Sequence, residues 1–200
     1  MIILGIDPGL ANTGWGIVET RGMQCRARAY GCVQTDTGLD IARRLKRIHD
    51  ELLRVIERYH PTEVAIEEIF FSANTQSAVK TARARGAALV ACASCGLETG
   101  EYTPMQIKQA VVGTGSADKH QVQFMVKSLL HLEQEPRPDH CADALAAAIC
   151  HAHLTAWREM GRSQHLDRLS ASSYAERGTR KASPSEARAA EALTERGARP

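Results

Sequence analysis

Apolar residues in the first part of the chain come in short runs, IILGID, GWGIVET and CRARAYGCVQT, broken by Gly, Pro and Asn. Runs of this length between turn residues predict three successive β-strands, paired as an antiparallel meander. The period then changes. Through LDIARRLKRIHDELLRVIERYH, Ile41, Leu45, Ile48, Leu52, Val55, Ile56 and Tyr59 recur at three- and four-residue spacing. This marks one face of an amphipathic helix, and Pro61 stops it. EVAIEEIFF is short, β-branched and almost continuously apolar, so it predicts a strand covered on both faces. The Ala-rich stretch from about Asn74 to Cys95 predicts a long helix whose small side chains invite close approach of another helix, including one from a second subunit. A strand near LETGEYT follows, then helices from about Pro104 and over about Asp118–His131. PDHCADALAAAICHAHLTAWREM is the last helix, opened by Pro138 and Asp139. Three strands followed by alternating helices and strands predict an α/β fold, a mixed sheet flanked by helices.

Composition changes the picture mainly at the C-terminus. From about Gly161 onward there are three Leu and no Ile, Val or Phe among many Ser, Ala, Arg, Glu and Gly. Such a segment buries too little apolar surface to offset the entropy of ordering it. The expected organisation is therefore a globular domain over 1–158 and a disordered, basic and polar tail over 159–200. Net charge over the 200 residues is +2. Residues 161–200 hold eight basic and five acidic groups, leaving 17 basic against 18 acidic on the rest. A uniformly basic DNA-coating protein is excluded, and any nucleic acid must be met by local basic patches around an acidic centre. No apolar run approaches the roughly 20 residues needed to cross a bilayer, and MIILGIDPG lacks a basic leader and a cleavage site, so a cytoplasmic location is expected. Without a secretory signal the six cysteines are read as free thiols. Cys92 and Cys95 form a C-x-x-C, but a closed zinc site needs four ligands and no second pair lies nearby.

Charge at apolar positions carries the chemistry. Asp7 ends the first strand just before Pro8-Gly9, Glu67 sits inside VAIEEIFF, and Asp143 sits inside CADALAAAI. A lone buried carboxylate costs several kcal/mol unless it is paired or ligates a metal. Each has a plain alternative: a turn at Asp7, a pairing of Glu67 or Glu68 with a basic side chain, an N-cap at Asp139, a surface position for His140. Taken together, the three carboxylates point to a divalent-cation site of hard oxygen donors. On the last helix, His140 and Asp143 are three apart and Asp139 and Asp143 four apart, so either pair shares a face. A strand-end Asp, a strand-centre Glu and a helical pair can together hold two Mg²⁺ or Mn²⁺ ions about 4 Å apart, suited to phosphodiester hydrolysis.

GIDPGLANTGWGIV, VAIEEIFF, KQAVVGTGSADKHQV and DHCADALAAAI, in this order and spacing, resemble the RuvC Holliday junction resolvases over about residues 1–158. The resemblance implies a ribonuclease H-like fold with a mixed five-stranded sheet. It also implies an endonuclease that resolves four-way DNA junctions in recombination and repair, acting as a homodimer alongside a branch-migration complex of the RuvA and RuvB type. Position by position, it implies Asp7, Glu67 rather than Glu68, His140 and Asp143 as catalytic and metal-binding residues. The fourth position is commonly Asp in the family, and His140 stands there with Asp139 beside it as cap or outer partner. An imidazole ligand tilts the expected metal preference toward Mn²⁺ over Mg²⁺.

For DNA contact, Phe70 and Phe71 follow the Glu67 strand directly. One is read as core, and the other as a platform for an unpaired base at the junction centre, a contact worth about 1–3 kcal/mol. The resemblance implies Phe70, with Phe71 as the alternative. It also implies phosphate contacts by Lys108 and Lys119, whose charge would offset the acidic centre. The intervening GTGS reads equally as a cradle of amides for phosphate or as a turn. Lys80, Arg83 and Arg85 on the Ala-rich helix are further DNA-binding candidates. Arg43, Arg44, Lys46 and Arg47 read as a solvated helix face. Rival functions are an actin-like ATPase, for which 200 residues leave no second lobe, a junction-binding module without cleavage, and another ribonuclease H-like nuclease acting on RNA or single strands.

Overall fold

The computed structural model describes residues 1–69 and 75–178, with side chains described for 1–69 and 77–158. Met1–Trp157 form one compact unit, and Arg158 begins a second. Three strands come first: β1 (Ile2–Asp7), β2 (Asn12–Arg21) and β3 (Gln24–Gln34). They pair as the antiparallel meander expected, β1 with β2 and β2 with β3. Helix α1 (Ile41–Tyr59) is capped by the Asp40 side chain, which accepts from the Arg43 amide, and it buries Ile48, Leu52, Val55 and Ile56. Strand β4 (Glu63–Glu67) then returns parallel to β1, and β5 (Thr99–Tyr102) lies parallel to β4. The sheet order is β3-β2-β1-β4-β5. It is the mixed five-stranded sheet the sequence reading anticipates.

Helix α2 (Thr75–Ser94) links β4 to β5, and α3 (Pro104–Val112) and α4 (Lys119–Leu129) follow. Thr103 and Asp118 each close a capping box, with Gln106 and Gln121, so both helix starts are written locally in the chain. Helix α5 runs from Asp139 to Gly178, past the Met160 end read from the sequence. Residues 179–200 lie outside the described residues, as do Phe70 and Phe71. The strand read as EVAIEEIFF ends at Glu67.

Strand alternation sorts the core into two layers. Leu4, Ile6, Val64 and Ile66 pack with Ile48, Leu52, Ala84, Ala88 and Cys92 on the α1/α2 side. Ile3, Val18 and Ala65 pack with Val122, Val126, Leu145 and Ile149 on the side of α3, α4 and α5. Glycines set how close α5 comes. A Cβ on Gly5 would stand 1.9 Å from the Ala144 carbonyl oxygen, and one on Gly14 1.9 Å from that of His140. With no side chain at these positions, the backbone of α5 lies directly on β1 and β2. Farther along, buried His151 on α5 meets the Tyr102 hydroxyl through Nδ1 at 2.9 Å and the Glu63 carboxylate through Nε2, tying α5 to β5 and β4. Among the described residues no helix is long and apolar enough to cross a membrane.

Candidate active site

Asp7 closes β1 and Glu67 closes β4. Because Ile6 pairs with Ile66 in the parallel ladder, the two carboxylates end neighbouring strands at one level. Parity then chooses the face. Asp7 shares the side of Ile3 and Gly5, and Glu67 that of Ala65, which is the α5 side. Glu68 follows the strand, and its amide donates to the Tyr102 carbonyl. Glu67, the residue of this pair named from the sequence, is thus the one whose strand position turns it toward α5.

The start of α5 supplies the other half. Ligand atoms of Asp7, His140 and Asp143 all lie within 4.8 Å of one another. His140 Nδ1–H donates to Asp7 Oδ2 at 2.6 Å. This bond holds the imidazole pKa above its usual value against the opposing effect of burial, with the charges of Asp7 and Asp143 adding to it. Burial pushes the Asp143 carboxyl up, and the Asp7 charge pushes it further. Glu67 is raised to about 7, first by burial and then by the charges of Asp7 and Asp143, while Lys108 opposes the shift. Four acidic or imidazole groups are thereby coupled across two strand ends and one helix turn.

Lys119, the first residue of α4, reaches into this cluster, with Nζ 3.0 Å from Asp139 and 3.7 Å from Asp143. Burial works against its charge, but the hydrogen bond to Asp139 and the Asp143 charge hold its pKa above the ordinary lysine value. Asp139 also faces Arg137 at 3.6 Å, and its pKa is lowered, chiefly by Lys119. A cleft of about 220 Å³ opens between Glu67 and Asp143 on one side and Ile107, Lys108, Lys119 and Val122 on the other. Between α3 and α4, Gly113 ends α3 in a left-handed conformation, and the Thr114 and Ser116 hydroxyls bond each other at 3.0 Å.

The structure therefore gathers Asp7, Glu67, His140, Asp143, Lys108 and Lys119, drawn from five elements. Lys80 and Arg83 are exposed on α2. Arg85 is mostly buried and pairs with Glu101 on β5. Arg44 departs from the solvated face read for its stretch: it is half-buried and donates to Thr35 Oγ1 and the Leu10 carbonyl. Sequence reasoning missed this contact because Arg44 sits in a basic run whose helical period alone cannot show which member turns inward. It also missed the ion pairs of Lys119, which join residues far apart in the chain.

The donor set fits divalent cations. Carboxylate oxygens dominate, the imidazole can add a nitrogen, and the charges of Asp7 and Asp143 add to burial in lifting Glu67 to about 7. A bound cation offsets those charges.

The family model described as crossover junction endodeoxyribonuclease RuvC matches residues 3–151. A protein of that name from Moorella thermoacetica is 51% identical over 159 residues, 80% of this chain and 95% of its own length. Another, from Pelotomaculum thermopropionicum, is 50% identical over 157 residues, 78% of this chain and 96% of its own. Among solved structures, T. thermophilus RuvC in complex with a Holliday junction substrate superposes with a TM-score of 0.75 at 40% identity, covering 78% of this chain and 96% of that one. A family match spanning most of the compact unit, relatives of about half identity and the same sheet beneath the acidic cluster lead to one assignment: the chain belongs to the RuvC family of crossover junction endodeoxyribonucleases.

Proposed function

We propose that this protein cuts four-way DNA junctions by divalent-metal-dependent hydrolysis of phosphodiester bonds, serving recombination and repair in the cytoplasm. The observation that carries the proposal is the convergence of Asp7, His140 and Asp143, with Glu67 coupled to them through charge, at the mouth of a cleft rimmed by Lys108 and Lys119. Asp7, Glu67, His140 and Asp143 would hold the cations. When bound there, divalent cations supply positive charge to the attacking water and to the leaving oxygen of the phosphodiester. His140 keeps the Asp7 carboxylate oriented through their hydrogen bond. Lys108 and Lys119 lower the repulsion that a phosphate meets on approaching so acidic a centre. Phe70 or Phe71 stacks on an unpaired base at the junction centre, and Lys80 extends the contact to an arm.

The test is incubation of labelled four-way junction, duplex, single strand and RNA–DNA hybrid with Mg²⁺, Mn²⁺ or chelator. Junction alone should be cut, and only with metal. Asp7→Asn should bind junctions and not cut them; normal cleavage by this variant sinks the site assignment. His140 supports a preference for Mn²⁺ over Mg²⁺, and equal rates across a concentration series of both ions would count against it.

The near-twofold symmetry of a four-way junction supports a homodimer with two opposed active sites. The outer face of α2, where Val79 and Val90 are exposed near Gly86, is the proposed contact. Coupling to a branch-migration complex of the RuvA and RuvB type follows the family. Cleavage belongs to the domain 1–158, and the tail 159–200 adds nonspecific DNA affinity at most.

A further inference from the structure

The chain leaves Asp7 through Pro8, Gly9, Leu10 and Ala11 before entering β2 at Asn12. This loop is tight, because a Cβ on Gly9 would lie 2.4 Å from the Asn12 carbonyl oxygen. The carbonyls of Gly9, Leu10 and Ala11 are all taken. Thr13 Oγ1 donates to the Gly9 carbonyl at 2.7 Å, and the Thr35 amide donates to that of Ala11 at 3.0 Å. The Leu10 carbonyl accepts two donors, the Thr35 hydroxyl and Arg44 Nη2 at 3.3 Å. Arg44 Nε donates in turn to Thr35 Oγ1 at 2.9 Å. Thr13 is 0% exposed, Thr35 7% and Leu10 6%.

These groups act from the side of the sheet opposite the active site. Leu10 packs in the α1/α2 layer, and Arg44 is carried by α1. The Asp7 carboxylate points the other way, toward His140. A strand end held from behind cannot drift, and Asp7 is separated from the held carbonyl of Leu10 by only two residues. The commitment of Arg44 is informative. Arg43 pairs with Asp40, and Lys46 with Asp50, at the surface. Arg44 turns inward and spends its guanidinium on a neutral hydroxyl and a neutral carbonyl. Its planar fork spans both acceptors at once, which a lysine ammonium cannot reproduce.

We infer that Arg44 and Thr35 form a positioning latch that fixes the Gly9–Ala11 loop and so holds the Asp7 carboxylate in register with His140 and Asp143 for strand cleavage. The inference rests on the function proposed above. Neither residue touches the reacting atoms; both act through Asp7. A misplacement of about 1 Å, even when caused by a change far from the chemistry, can slow a reaction about 100-fold.

The experiment uses the full chain with Arg44→Gln, Thr35→Val and Thr35→Ser beside the unaltered protein. Junction affinity is measured with chelator over a salt series, and single-turnover cleavage at saturating protein with Mn²⁺. Arg44→Gln and Thr35→Val should slow saturated cleavage roughly 10- to 100-fold, with junction affinity and salt dependence unchanged. Thr35→Ser, which keeps the hydroxyl, should recover most of the rate. In metal-free protein, hydrogen exchange at the amides of residues 10–13 should quicken in the two slow variants, a readout independent of turnover. Unchanged saturated cleavage in both variants overturns the latch. So does weaker junction binding by Arg44→Gln with a salt slope shallower by about one unit, which would make Arg44 a phosphate contact instead. Should Arg44→Gln fail to fold, the Thr35 pair decides, since Val matches Thr in shape; equal slowing by Ser and Val also overturns the latch. If the unaltered protein leaves junctions intact, the functional proposal fails rather than the latch.

Discussion

Glu67 concentrates the electrostatics of the site in one side chain. A carboxyl raised from 4.5 to about 7 has its balance moved toward the neutral form by about 3 kcal/mol relative to the unfolded chain. The native state then binds more protons than the unfolded chain between those two values, so this contribution to stability is lost as pH rises through the window. The raised Asp143 and His140 push in the same direction. Metal-free protein should therefore become less stable to urea as pH rises from about 4.5 to about 7, and a divalent cation should remove most of the slope. Glu67→Gln should flatten it as well and abolish cleavage. A chelated protein that grows more stable over this range would show that these groups are not coupled as described. Glu67 was legible in the chain because a charge interrupts an apolar strand, and Asp7 because it precedes Pro-Gly. Arg44 was not, since a cation in a basic helical run gives no sign of pointing inward.

Between elements, the decisive contact is α5 against β1 and β2. The spacing of His140 and Asp143 places both on one helix face whatever the fold, but only the bare backbone at Gly5 and Gly14 lets that face reach Asp7. Gly14→Ala would drive a methyl into the His140 carbonyl. Overpacking of this kind costs about 1–3 kcal/mol, and here the strain falls on the turn that carries a proposed ligand. The variant should show both a lower urea midpoint and slower cleavage at saturating junction. Wild-type stability together with wild-type cleavage would mean that α5 approaches less closely. The glycines stand in plain view in GIDPGLANTGWG, yet their role depends on an element more than a hundred residues later.

At the level of the whole molecule, two opposed strands must be cut, so one subunit should suffice for one nick. Mixed dimers of wild-type and Asp7→Asn chains should release singly nicked junction, and light scattering should give twice the chain mass. A monomeric mass with full two-strand cleavage would dismiss the dimer. Truncation after Arg158 should leave saturated cleavage intact; a truncated chain that binds but no longer cuts would place part of the machinery in the tail.

The sequence by itself determined the elements and their order. Hydrophobic period, Gly and Pro punctuation and the capping residues Asp40, Thr103 and Asp118 act within a few positions, so each strand and helix start is encoded where it occurs. It also marked the carboxylates, because charge at an apolar position is costly wherever the chain puts it. Only the tertiary structure decided which of these groups meet. Asp7 and His140 touch across 133 positions, Lys119 turns to Asp139 and Asp143, and Arg44 reaches the back of the Asp7 loop. Such encounters depend on strand register, on which face the pleat presents and on how closely a helix can lie on the sheet. Those are properties of packed elements together, and no local stretch of chain contains them.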